Sequence, residues 1–338
     1  MNDQQKEIID ASLNEQEGDF FNRTLARKIV NENPGVFEPS DLERVRSRIR
    51  MWRGSNGDSN RKEVPPKDKL IRDEMKPSEY MKSFISRARP EPERNWTLPK
   101  ELNKVLVLGD LHIPYHDQPA IETCLDYGFK HGVDSIYLNG DVIDFYQLSR
   151  WSRDPTASRP KVEIEETGLL LEGLVGLGLP VFYKIGNHED RWNRYMIQQA
   201  PELYDLEPLQ IKSILYLDEL GIPLIESRQK AQFGNLTVIH GHEFGQSFFN
   251  PVNPARGLFL RSKTSALAGH NHQTSKHSEA NLNGKMMSCH TTGCLCSLSP
   301  DYRPFAYTKW NLGASIVEID NGYFSVDNFE IVDGRVSR

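Results

Sequence analysis

Cysteine is scarce in this chain: four in 338 residues, Cys124, Cys289, Cys294 and Cys296, with no C-x-x-C pair among them. Cysteines this sparse fit reduced thiols inside a cell rather than a disulfide framework. Cys294 and Cys296 leave two readings open, a shared soft metal or simple packing at a strand end. Long apolar runs are lacking as well. The most apolar stretch, Thr167 to Tyr183, is broken by Glu172, several glycines and Pro180. It falls short of the roughly 20 residues that span a bilayer and reads as a buried helix followed by a strand. The opening MNDQQKE has no basic-then-apolar leader pattern. Positive charge is not in excess either, since 41 Lys+Arg against 47 Asp+Glu leave −6 at pH 7. A uniformly basic nucleic-acid coat is thereby excluded, and any attraction to DNA must be local. A cytoplasmic protein with no membrane partner is expected, its oligomeric state left open.

What is present separates into three zones. Residues 1–54 read as helical. Ser40 and Glu43 give the capping-box pattern S-x-x-E, so a helix is expected from Asp41. Leu42, Val45, Ile49 and Trp52 form its apolar stripe, while Arg44, Arg46, Arg48, Arg50 and Arg53 spread over the remainder. An earlier helix is expected from Phe20 to Asn31, ended by the Asn-Pro-Gly turn at Asn33–Gly35. Helix, turn and Arg-rich helix outline a helix-turn-helix module. Residues 55–98 are polar and rich in proline and charge, a linker with one short helix expected near Ser78–Ser86. From residue 99 onward short strand-like runs alternate with helical stretches: KVLVL, SIYL, VFYKI, LTVI, SALA, KMMSCH, ASIVEI and YFSV. That mixture predicts an α/β domain with packed sheets rather than one parallel sheet.

The informative pattern lies where those runs stop. KVLVL ends in Gly109-Asp110-Leu111-His112, and SIYLN in Gly140-Asp141-Val142-Ile143-Asp144. VFYKI ends in Gly186-Asn187-His188-Glu189, LTVI in His240-Gly241-His242, and SALA in Gly269-His270-Asn271-His272. Asp110 and His112 stand at i and i+2, which on an extended chain share a face. Each tip alone is a common surface turn. Together they hold six of the ten histidines, at the strand ends where open α/β folds place their sites.

The five motifs, in this order and over roughly residues 104–330, resemble the signature of the calcineurin-like metallophosphoesterase superfamily: D-x-H, G-D-x-x-D, G-N-H, H and G-H-x-H. The resemblance implies a four-layer αββα sandwich of two mixed sheets, here behind a small N-terminal helical domain. It implies two divalent metal ions, one held by Asp110, His112, Asp141 and His272, the other by Asp141, Asn187, His240 and His270. Asp141 would bridge them. Nitrogen and carboxylate donors without thiolate suit Mn²⁺, Fe or Zn²⁺, with Mn²⁺ the first expectation. Two ions about 3.5–4 Å apart lower the pKa of a shared water and supply hydroxide for in-line attack on phosphorus. His188 resembles the histidine that protonates the leaving oxygen, and Asp144 the carboxylate that orients it and raises its pKa.

The substrate is written less sharply. Ser/Thr protein phosphatases of this superfamily extend the second motif to G-D-x-V-D-R-G and the third to G-N-H-E-x-R. Arg191 completes the third, but Phe145 stands where the second requires arginine. A terminal phosphate dianion gains from two such cations, a diester monoanion from fewer. Aromatics and cations interleave around the tips: Phe145, Tyr146, Arg150 and Trp151; Phe244, Phe248 and Arg256; Tyr302, Arg303, Phe305 and Trp310. Single-stranded nucleic acid is bound by that alternation, though core packing and solvated arginines explain it equally well. From Arg23 to Lys62 there are ten Lys/Arg and five Asp/Glu, a local +5. The N-terminal unit therefore reads either as DNA-binding or as a helical pair for oligomerisation or partner docking. Metal ligation is assigned to the first histidine of H-G-H. His242 is therefore expected at the substrate or behind the ligands, with Arg191, His116 and Arg150 as further substrate contacts. The expectation is a phosphodiesterase or nuclease acting on DNA. A phosphomonoesterase is the alternative, and a DNA-binding regulator with a degenerate body is a third.

Overall fold

Along the strand Lys104–Leu108 (β2), Val105 and Val107 face one core, and Leu106 and Leu108 face another. This period-two alternation sets the layers of the larger unit. The computed structural model describes residues 1–15, 21–52, 95–150, 153–245, 252–299 and 308–337. The expected helix at Ser78–Ser86 lies outside them. The chain divides into two units, Met1–Glu91 and Pro92–Arg338.

The larger unit has thirteen described strands: β1 Trp96–Thr97, β2, β3 Ser135–Asn139, β4 Val181–Lys184, β5 Leu224–Ile225, β6 Ala231–Phe233, β7 Leu236–Ile239, β8 Ala266–Ala268, β9 Ser275–Ala280, β10 Met286–Thr291, β11 Leu312–Asp320, β12 Tyr323–Val332 and β13 Arg335–Ser337. One sheet runs β13-β12-β11-β2-β3-β4-β5 and the other β1-β6-β7-β8-β10-β9. The strands β2 to β5 are parallel, and β11 joins β2 antiparallel. In the second sheet β7, β8 and β10 are parallel, with antiparallel neighbours at either side.

Between the sheets lie Val105, Val107, Tyr137, Phe182, Phe233, Val238 and Leu267. Tyr137 and Phe233 meet across the gap edge-to-face, centroids 5.1 Å apart, a geometry worth about 0.5–1.5 kcal/mol beyond burial. On the outer face of the seven-stranded sheet, Leu106, Leu108 and Leu138 pack under the helices Gln118–Lys130 and Pro160–Gly176 through Ile121, Cys124, Leu171 and Leu174. On the far side the helix Pro254–Ser262 covers the six-stranded sheet through Ala255, Leu258 and Phe259. The result is the expected helix–sheet–sheet–helix sandwich. Trp96, Thr97 and Leu98, assigned from sequence to the linker, belong to this body: β1 pairs with β6, and Leu98 is buried.

The smaller unit has three described helices, α1 Asp3–Glu15, α2 Asn22–Glu32 and α3 Leu42–Trp52. Ile9, Leu13, Leu25, Ile29, Phe37, Val45 and Ile49 form its core. The sequence pattern identifies two of these helices, α2 and α3, while α1 falls in the stretch read only as helical. The cap of α3 also differs from expectation. Glu38 and Asp41, not Ser40 and Glu43, form the reciprocal capping box around a 3-10 turn at Pro39–Asp41. Between α2 and α3 the chain runs from Asn33 to Asp41 and buries Phe37, longer than the three- or four-residue turn of a helix-turn-helix.

Candidate metal centre

All five chemistry-bearing tips follow the C-terminal ends of β2, β3, β4, β7 and β8, three from one sheet and two from the other. The tips of the two sheets are tied together at Asn139. Its side-chain amide donates to the Ile239 carbonyl at 2.9 Å, and its own carbonyl faces His240 Nδ1 at 2.7 Å.

The backbone at the tips is not extended. Asp110, His112, Asp141, His270 and His272 all have φ between 51° and 67°, a left-handed region in which non-glycine residues are uncommon and which concentrates at functional sites. Asp110 and His112 therefore converge through a left-handed turn and not, as the i, i+2 spacing suggests, through strand alternation. Cross-links hold the turn: Asp110 N–H donates to Gly140 O, and His112 N–H to Asp141 O, both at 3.0 Å. Gly140 (φ 84°) has no room for a side chain, because a Cβ would fall 2.7 Å from His240 Nδ1 and 2.8 Å from Gly186 Cα.

These turns bring buried donors face to face. His272 Nε2 lies 3.2 Å from Asp110 Oδ1 and 3.1 Å from His112 Nε2. His240 Nε2 lies 3.3 Å from Asp141 Oδ2 and 3.2 Å from Asn187 Oδ1. Asp141 Oδ2 is also 3.9 Å from His112 Nε2. Asp110, His112 and Asp141 present donor atoms within 4.8 Å of one another, and so do Asp141, His240 and His270. Asp141 belongs to both groups. Imidazole nitrogens and carboxylate oxygens converging in a buried cluster fit divalent cations. The same side chains perturb one another. Burial lowers His240 and His272, but the carboxylates Asp141 and Asp110 outweigh it and raise each to about 10. At His270 burial and the His240 charge prevail over both carboxylates and push it down to about 3.

Two carboxylates brace the tips from behind. Glu189 accepts N–H bonds from Asp141 (3.0 Å), Val142 (2.8 Å) and Gly186 (2.8 Å), and the Tyr183 hydroxyl at 2.9 Å. Glu243 accepts from His240 N–H at 3.2 Å and Gly241 N–H at 2.6 Å, with the buried Lys184 ammonium 3.3 Å away. Sequence reasoning assigns no role to Glu189 or Glu243. The place of Glu189 beside Asn187 and His188 is the one signal that points to it.

The profile of the family described as calcineurin-like phosphoesterase matches residues 103–290, more than half of the chain. The chain belongs to that family. No curated protein matches it. Among solved structures it is similar to a Streptococcus pneumoniae TIGR4 protein described as a predicted phosphoesterase, with 17% identity over 70% of this chain and 95% of that one, TM-score 0.29. The phosphoesterase Yfce of E. coli is 18% identical over 69% and 96%, TM-score 0.32. Vacuolar Protein Sorting 29 from Cryptosporidium parvum is 14% identical over 70% and 95%, TM-score 0.36. Family membership makes the chain a phosphate-ester hydrolase that uses divalent metals.

Beside the cluster of this phosphoesterase sit His188, Asp144 and Arg191. His188 N–H donates to Asp141 Oδ1 at 2.9 Å, and its Nδ1 lies 3.0 Å from Asp144 O and 3.4 Å from Asp144 Oδ2. Burial pushes Asp144 up, yet the His188 and His112 imidazoles overcome it and hold the carboxylate well below its ordinary range. Asp144 does push His188 up, as expected, but the net shift runs the other way. Burial lowers His188, as do the neighbouring His112 and Arg191, and together they outweigh the upward push of Asp141 and Asp144. Arg191 does not stand open at the mouth. Its Nη1 donates to Asp144 O (2.9 Å) and Oδ1 (3.0 Å), and its Nη2 faces His188 Nε2 at 2.8 Å.

The remaining expected contacts are spread more widely. The His242 ring centre is 5.3 Å from that of His240 and 6.5 Å from that of His270, and Ser227 Oγ lies 3.0 Å from its Nε2. His116 pairs by its backbone with Cys296, its Nδ1 enclosed without a partner. Arg150 is exposed. Phe145 is fully buried against Trp192, part of the core. Trp151, Phe248, Tyr302, Arg303 and Phe305 lie outside the described residues. Among the described residues, no helix is long and apolar enough to cross a membrane.

Proposed function

We propose that this phosphoesterase is a phosphodiesterase whose substrate class is nucleic acid, with single-stranded DNA the first candidate. The carrying observation is the state of two residues. Phe145 is buried where a Ser/Thr protein phosphatase of the superfamily would place arginine, and Arg191 is engaged by Asp144 and His188. Neither presents a guanidinium to the extra charge of a terminal phosphate dianion, whereas a diester monoanion asks for less.

Asp110, His112, Asp141 and His272 would hold one divalent ion, and Asp141, Asn187, His240 and His270 the other, with Mn²⁺ the favoured metal. The ions supply a nucleophilic hydroxide and neutralise charge at phosphorus. The chain's own residues then orient and move a proton. His188, fixed by Asp144 and Arg191 at the edge of the cluster, is placed to meet the leaving oxygen. Its pKa is lowered, and the negative charge of a bound diester would offset that of Arg191 and favour the protonated imidazole, the proton coming from solvent. His242, whose Nε2 lies 3.0 Å from Ser227 Oγ, would contact the substrate or support the ligands from behind.

The N-terminal unit offers weaker support for DNA delivery. Arg46 is paired with Glu43 and Arg48 with Asp10, so its basic surface is smaller than the sequence suggests. Comparing bis-p-nitrophenyl phosphate with p-nitrophenyl phosphate in the Mn²⁺-loaded protein tests the reading. Diester preference with cleavage of single-stranded DNA is expected. Monoester preference without DNA cleavage would overturn it in favour of a phosphatase, the reading that the intact G-N-H-E-x-R motif favours.

A further inference from the structure

The imidazoles that turn Nε2 into the cluster differ in what holds their other nitrogen. His112 Nδ1 lies 3.1 Å from a carboxylate oxygen of Asp144, and His240 Nδ1 lies 2.7 Å from the Asn139 carbonyl. His272 Nδ1 faces sulfur instead, 3.9 Å from Cys296 Sγ. A metal-ligating histidine ordinarily donates this outer N–H to a carboxylate, carbonyl or water, which fixes the tautomer and the ring plane. Cys296 occupies that position for His272.

The surroundings are enclosed, and the neighbouring Cys294 thiol also interacts with His272. Cys296 is 2% exposed and His272 5%. The segment carrying the thiol is bound to the metal tip itself, since Leu295 N–H donates to Asp110 O at 3.1 Å. Asn311 N–H donates to His272 O at 2.9 Å, and the Trp310 ring covers the imidazole with centroids 4.2 Å apart. The Cys294 thiol, also buried, lies 3.6 Å from the Asn311 carbonyl and 3.9 Å from that of Cys296. Cys296, His112 and His272 further present donor atoms within 4.8 Å of one another.

We propose that Cys296 is the positioning residue of His272, its sulfur accepting the Nδ1–H so that Nε2 stays free for a divalent cation. The inference rests on His272 being a metal ligand. Sulfur is a weaker and longer-range acceptor than the oxygens behind His112 and His240. The ion held through His272 is consequently the more weakly bound of the two, and the one that a change at Cys296 releases.

Titration with Co²⁺, followed by its visible absorption, measures the two affinities without reference to turnover. Cys296→Ala is expected to weaken one equivalent about 10–100-fold, the usual cost of losing such a partner, and to leave the other unchanged. Cys296→Ser, which keeps an acceptor, should lose less. Because Cys294 interacts with His272 as well, Cys294→Ala is the control that must spare the metal affinity that Cys296→Ala weakens. If Cys296→Ala binds both ions as the parent does, or if serine loses as much as alanine, the proposal is overturned. Should the alanine variant fail to fold, Cys296→Val against Cys296→Ser carries the same comparison. His272→Ala separates the two ideas. If it keeps both equivalents at full affinity, the ligand assignment fails. If it loses one while Cys296→Ala loses none, only the positioning role fails.

Discussion

Arg191 Nη2 lies 2.8 Å from His188 Nε2, and because a guanidinium carries only donors, that imidazole nitrogen is the acceptor. His188 at rest is therefore neutral at Nε2, with Nδ1 turned to the Asp144 carbonyl. Removing Arg191 takes away both the donor and a positive charge that holds His188 down. A group that must carry a proton loses activity as pH rises through its pKa. In Arg191→Met the alkaline limb of kcat is accordingly expected at higher pH, with kcat lower by about 10–100-fold because Asp144 also loses its partner. A pH–rate profile with the limb unmoved would remove His188 from proton transfer.

Asp141 stands between both donor groups. Asp141→Asn removes the negative charge shared by the two donor groups and places an N–H₂ near imidazoles that need an acceptor. Elemental analysis after gel filtration should find less than half the parent's metal, and hydrolysis should fall at least about 100-fold. Full metal content would refute the bridging assignment.

Glu163 is wholly buried, and neither carboxyl oxygen meets a donor at full hydrogen-bond geometry. Burial first, then the Asp144 charge, pushes it up to about 8 from an ordinary 4.5, the nearby amides of Phe145 and Tyr146 acting the other way. The folded state thus keeps a proton that the unfolded chain releases. Its contribution to stability is complete below pH 4.5, declines between 4.5 and 8, and stays lost above. Glu163→Gln should flatten that decline, gaining on the order of a few kcal/mol over the parent at pH 9, at about 1.36 kcal/mol per unit. Thermal unfolding at pH 5 and pH 9 measures it; parallel losses in both proteins would contradict the assignment.

Glu189→Gln keeps the volume but sets an amide N–H₂ against backbone donors at Asp141, Val142 and Gly186. A buried donor without an acceptor costs about 1–3 kcal/mol. A lower melting temperature and weaker metal binding are expected together. A melting temperature equal to the parent's would show that the brace contributes nothing.

The long strands and the five tips are legible because their signals are local, an apolar run followed by a glycine and a ligand-type residue. All eight sequence-assigned runs form strands. The short strands β1, β5, β6, β9 and β13 escape such a reading, having two to six residues and little alternation of their own. Glu189, Glu243 and Cys296 escape it for a different reason. Each acquires its role from a partner that the fold delivers, such as the Asp141 amide, the His240 amide and the His272 ring. The direction of the His188 shift is hidden because the sequence shows Asp144 as a partner but not the burial and cations that oppose it.

The knot at Asn139, where the end of β3 meets the end of β7, bears on how the molecule matures. Neither sheet alone supplies a full set of donors, so a chain stalled with one sheet formed has little grip on the ions. Tight loading then reports that both halves have been assembled and docked. Ions that favour only the finished form shift the folding equilibrium toward it, by about 2.7 kcal/mol at a hundredfold excess over Kd.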